Sequence, residues 1–202
     1  MSGQTFFFYG SLMDLELLEA VLGRKADDLT LSPGWLKGYV AETAARYTFP
    51  TLIENRTGRV DGILVRGLTQ ADVDRIAYFE DEEYSTIVAD IATAETDVTA
   101  TLYVATKRLK SSGTRWSFDD WRKHDKPLLL AVTRKVMAEH YGVTPINEID
   151  AVWHRVKAEL EATMHVPMAL KARRPAQTIV PTQARPRRAT RAASPTRPPR
   201  GS

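Results

Sequence analysis

Thr5-Phe6-Phe7-Phe8-Tyr9-Gly10-Ser11-Leu12-Met13-Asp14 is the stretch on which the fold turns. The aromatic run Phe6–Tyr9 is short and reads as a buried strand. Gly10 and Ser11 break it. From Asp14 a helical pattern follows, with Leu15, Leu18, Val21 and Leu22 on one face, and Gly23 stands where such a helix stops. A strand, a tight glycine turn and a helix start bring backbone N–H groups to one spot, and such a spot can hold a carboxylate or a phosphate. An ordinary strand–helix connection with a tolerant glycine has the same spacing, so the stretch alone leaves both readings open.

The rest of the chain supplies strands first and helices later. Leu31-Ser32-Pro33-Gly34 reads as a turn and Trp35–Thr43 as a strand. Tyr47–Leu52 is extended because Pro50 bars a helix, and Asn55-Arg56-Thr57-Gly58 reads as a hairpin-like turn. Arg59–Arg66 carries apolar residues on both faces, which predicts a central strand. Thr69 is an N-cap for the next helix, with Asp72 as the capping-box acid; that helix breaks near Phe79. Tyr84–Ala92 and Val98–Ala105 form a strand pair, and Lys107–Thr114 reads as a surface loop. Phe118–Tyr141 is helical behind a Ser117 cap, kinked or split at Pro127. Asn147–Ala162 is a last amphipathic helix, with the stripe Ile149, Val152, Val156 and Leu160, packed on the body or on a second copy. Adjoining strands with helices outside predict an α+β fold: a small mixed, largely antiparallel, barrel-like sheet with flanking helices.

Charge divides the chain unevenly. Of its 28 Lys and Arg, nine lie from Lys171 onward with no acid among them; the 19 that remain stand against 25 Asp and Glu, a formal −6. From about residue 167, Pro, Arg, Ala and Thr dominate, and such a segment buries too little apolar surface to offset its ordering entropy. The expected organisation is a domain over 1–142, a helix over 143–166 and a disordered basic tail over 167–202. Such a tail suits weak contact with nucleic acid or anionic lipid through charge alone, or simple solubilisation. There is no cysteine, which excludes a disulfide framework and a thiolate nucleophile and fits a reducing cytoplasm. No apolar run approaches transmembrane length. The four histidines are scattered without ligand spacing, so neither metal nor cofactor is expected. The glycine turn lacks the spacing of a nucleotide-binding loop.

A second stretch, Ile76-Ala77-Tyr78-Phe79-Glu80-Asp81-Glu82-Glu83-Tyr84, sets a carboxylate behind two aromatics. By itself it reads as a solvated acidic run. Paired with Tyr9-Gly10-Ser11-Leu12, it resembles the γ-glutamylcyclotransferase family in its AIG2-like branch, over about Phe6 to Tyr141. The resemblance implies a compact barrel-like α+β fold and an intramolecular acyl transfer releasing 5-oxoproline and an amine from a γ-glutamyl compound. It implies Glu80 as general acid and base, shielded by Tyr78 and Phe79. It implies the backbone of Tyr9, Gly10, Ser11 and Leu12 as the cradle of the α-carboxylate, and Tyr103 as a phenol in the pocket; Glu83 and Tyr84 fit the motif and hold the loop. Three positions depart from the family pattern: Ala77, Thr86 and Ala105. They bear on the amine portion of the substrate more than on the reaction. The rival reading is a non-catalytic module that holds a small anion while the basic tail contacts a partner; the oligomeric state stays open.

Overall fold

The computed structural model describes residues 4–106 and 109–163. The basic tail, and the contacts expected of it, lie outside these residues. Six strands, β1 (Phe6–Phe8), β2 (Thr30–Ala44), β3 (Pro50–Arg66), β4 (Tyr84–Ile91), β5 (Val98–Ala105) and β6 (Ser111–Arg115), form one sheet in the order β4-β5-β1-β3-β2-β6. Among the described residues only the β1–β5 pair is parallel. The sheet curls until Trp35 of β2 bridges Ala92 at the end of β4, each N–H donating to the other's carbonyl at 2.9 and 3.0 Å. The result is a half-open barrel with helices on one side: α1 (Leu15–Leu22), α2 (Gln70–Glu80), α3 (Phe118–His124), α4 (Lys126–Glu139) and α5 (Ile149–Thr163).

The two-residue period of the first strand explains its central place. Phe7 and Tyr9 point into the barrel with Leu36, Val60, Leu64, Ile91 and Leu102. Phe6 and Phe8 point the other way, into the layer beneath α1 and α4 with Leu17, Val21, Trp121 and Val136. β3 likewise feeds Leu64 to one core and Val65 to the other, as its two apolar faces require. α5 joins the outer layer: Ile149 and Val156 are fully buried there, and Trp153 sits edge-on to Phe79 at 5.7 Å.

Local signals hold at the helix ends. Asp14 caps α1 by accepting the Leu17 N–H at 3.1 Å, and Gly23 closes it at φ 67°. Thr69 and Asp72 form a reciprocal capping box on α2. Asp72 is buried, and Arg24 grips both its oxygens at 2.9 and 2.7 Å. Pro127, in the first turn of α4, divides the expected single helix in two.

Three readings of the sheet fail. Leu31–Gly34 is strand, paired with the end of β3: Leu31 faces Val65 and Pro33 faces Ile63. That part of β2 has β3 alone beside it among the described residues, so the N–H that proline lacks is not needed. Asn55–Gly58 is no hairpin but an insertion inside β3, where the register jumps from Lys37–Arg59 to Tyr39–Glu54 and Gly38 alone stands opposite it. Its turn chemistry is real, since the Asn55 side chain accepts the Thr57 N–H at 3.2 Å. Lys107–Thr114 is not all loop: Ser111–Arg115 is strand β6, laid along the far end of β2.

Candidate active site

Where β1 leaves the sheet, Tyr9 keeps its ring inside the barrel, and its hydroxyl donates to the Tyr103 carbonyl at 2.8 Å. Gly10 then starts a 3₁₀ turn, Ser11–Met13. The turn's own hydrogen bonds are donated by Met13, to Gly10 O, and by Asp14, to Ser11 O, both at 3.0 Å. The N–H groups of Ser11 and Leu12 are not spent on it, as is usual for the first donors of a helical turn. Asp14 and Lys126, 2.8 Å apart, already occupy the start of α1, so the available donors belong to the turn rather than to that helix. Pro50 closes over the corner: a Cβ at Gly10 would lie 3.0 Å from Pro50 Cγ.

Glu80 is the last residue of α2, which runs one residue past the break expected near Phe79. It is half-buried and makes no side-chain hydrogen bond among the described residues. Burial, and secondarily the charge of Asp81, pushes its carboxyl up to about 8. Three phenols feel its negative charge. Burial first and Glu80 second push Tyr103 up to about 12, and burial first and Glu80 second also raise Tyr9 and Tyr84. Glu80 therefore lies within electrostatic reach of the residue preceding Gly10 and of Tyr103. The fold brings together Glu80, the Tyr9–Leu12 corner and Tyr103, from three separate elements.

The shield around Glu80 differs from the expected one. Tyr78 and Phe79 turn away, as residues one and two places back on a helix must. Tyr78 donates to the carbonyls of His140 and Thr144 at 2.8 and 3.0 Å, and Phe79 packs on Trp153. The phenols of Tyr9, Tyr84 and Tyr103 take their place. Tyr84 donates to Pro50 O at 3.0 Å and so ties β4 to the glycine corner. Glu83 accepts the Tyr47 hydroxyl at 2.9 Å. No local pattern announces these contacts; only the register of β4 on β5 does, which sets Tyr84 opposite Ala105 and Thr86 opposite Tyr103. Two of the three departures thus sit on the rungs of the site tyrosines. An open groove of about 560 Å³ runs along α2, lined by Asp74, Ala77, Tyr78 and Tyr141, and includes none of the other predicted site residues.

A curled, largely antiparallel six-stranded sheet with helices packed on its outer layer defines a small α+β protein. The chain belongs to the family described as Gamma-glutamyl cyclotransferase, AIG2-like, whose model matches residues 6–123. It is 29% identical to the AIG2-like protein C of Arabidopsis thaliana over 136 residues, 65% of this chain and 76% of that one. It is 22% identical to the Arabidopsis Protein AIG2 C over 135 residues, covering 65% and 79%. Among solved structures, the solution structure of an Arabidopsis protein shares the fold with a TM-score of 0.50 at 18% identity, covering 68% of this chain and 93% of that one. Among the described residues no helix is long and apolar enough to cross a membrane.

Proposed function

We propose that this chain is a γ-glutamylcyclotransferase, acting on a γ-glutamyl amine or peptide. The α-amine of the γ-glutamyl group attacks its own γ-carbonyl carbon; a C–N bond forms, the bond to the outgoing amine breaks, and 5-oxoproline is left. The nucleophile is tethered, so proximity supplies much of the rate. What the protein must add is proton traffic and a grip on the far end of the substrate. Glu80 takes a proton from the α-ammonium and returns it to the leaving amine. Unspent N–H groups of the Tyr9-Gly10-Ser11-Leu12 corner hold the α-carboxylate, and the Tyr103 phenol lines the pocket.

The observation that carries this reading is the carboxyl of Glu80, poised at about 8 by burial beside the corner. An acid with an ordinary carboxylate pKa would not hold a proton near neutrality. The test is 5-oxoproline release from a panel of γ-glutamyl amines, amino acids and peptides. Glu80→Gln should abolish release while the circular dichroism spectrum stays native. Full turnover by a folded Glu80→Gln protein refutes the assignment.

A further inference from the structure

Asp81 is unused in that mechanism, yet its backbone is strained. Its φ of 49° with ψ of −153° is a combination that glycine adopts and L side chains avoid. The other non-glycine residue with positive φ among those described, Arg46, lies in the exposed β2–β3 connection. Asp81 is held in place by two hydrogen bonds. Its N–H donates to Ala77 O and closes α2. Its Oδ1 accepts the Glu83 N–H at 2.7 Å. Glu83 in turn accepts the Tyr47 hydroxyl, and the Tyr47 ring stacks on Phe49 at 4.6 Å, next to the Pro50 that covers Gly10. One run of contacts therefore joins the glycine corner to the residue beside Glu80.

We propose that Asp81 is a positioning residue for Glu80: pinned by the Glu83 N–H, it holds the bend that ends α2, so that the Glu80 carboxyl stays among Tyr9, Tyr84 and Tyr103 with a fixed negative charge beside it. Those three phenols and Asp81 are the ionisable groups coupled to Glu80, and Asp81 is itself faced by Glu82, Glu83 and Asp150 of α5. Burial and these acids push Asp81 up to about 6, below the value of Glu80, so Asp81 is charged before Glu80 titrates.

The consequence for rate rests on Glu80 being the reacting acid; the placement itself is measured without turnover. The full chain is labelled at the glutamate side-chain carboxyl and titrated by carbon NMR, with the Glu80 signal identified by its loss in Glu80→Gln. Asp81→Asn keeps the Oδ1 acceptor and removes the charge: the Glu80 midpoint should fall by about half a pH unit or more, with the unfolding midpoint near wild type. Asp81→Ala removes charge and acceptor together: the Glu80 midpoint should drop toward its ordinary value of 4.5, as its carboxyl reaches water. Where Asp81→Ala fails to fold, Asp81→Asn carries the test alone. An unmoved Glu80 midpoint in Asp81→Asn, or in a folded Asp81→Ala, overturns the proposal. In the 5-oxoproline assay the acid limb of kcat/KM should move with the NMR midpoint in Asp81→Asn. Shifted midpoints in a protein that turns over no γ-glutamyl compound would refute the reaction and leave the role of Asp81 standing.

Discussion

Glu80→Gln should make the protein more stable, and increasingly so as pH rises. The folded state holds the Glu80 proton to about 8 against an ordinary value of 4.5. Between those values the folded protein binds a proton that the unfolded chain has lost, so stability is full below the unfolded value and declines as pH climbs. Gln has the same size, carries no charge and escapes this decline. A gap of that width corresponds to about 3 kcal/mol at pH 7 and nearly 5 kcal/mol well above pH 8 in a dry site. Glu80 is only half-buried, and solvent screening trims the figure at pH 7 to about 2 kcal/mol. Urea unfolding of both proteins at pH 5, 7 and 9 measures it. The midpoints should nearly coincide at pH 5 and separate progressively at pH 7 and 9, with the inactive variant the more stable. A constant difference across that range would show that Glu80 ionises as freely in the fold as in water, and a wild type that gains on the variant at pH 9 would show that the fold favours its charged form; either refutes the reasoning.

Two further substitutions probe the frame and the corner. Arg24→Met removes the fork that neutralises the buried Asp72 and should cost about 2–3 kcal/mol in urea unfolding at pH 7. Asp72 is held down to about 2, first by the Arg24 hydrogen bonds, so the stability from this pair is present above its ordinary range. It is lost as pH falls through about 2, and the gap between variant and wild type should narrow there. Gly10→Ala places a methyl 3.0 Å from Pro50 Cγ and narrows the corner, so kcat/KM in the 5-oxoproline assay should drop about tenfold or more with little change in Tm.

The signals legible in the sequence were those confined to a few consecutive residues. The strand–turn–helix at Phe6–Leu22 follows from its own residues, as do the Thr69–Asp72 box and the break at Pro127. Sheet readings failed where a local rule met a distant partner. Pro33 looks like a turn until β3 lies beside it, and Asn55–Gly58 looks like a hairpin because its Asn cap is real, although the strand runs on. At the site, the acid and the glycine corner are legible only as a pair, through the family they resemble; alone, Glu80 is one acid of a solvated run. The resemblance implies Tyr103 in the pocket, but not that three phenols face the acid, because Tyr9, Tyr84 and Tyr103 meet only through the β1–β5 and β4–β5 ladders. Asp81 was hidden in a run of four acids, where only the sign of a backbone dihedral distinguishes it.

The three-residue β1 is wedged between β3 and β5, with Thr5 O accepting the Thr101 N–H at 2.8 Å across nearly half the chain. A ribosome making this protein releases the phenylalanines of β1 about a hundred residues before their final neighbour. Until β5 emerges, that aromatic segment has one flank unclaimed, which makes the interval between the two strands the one in which the nascent polypeptide is most exposed to wrong partners and to chaperones.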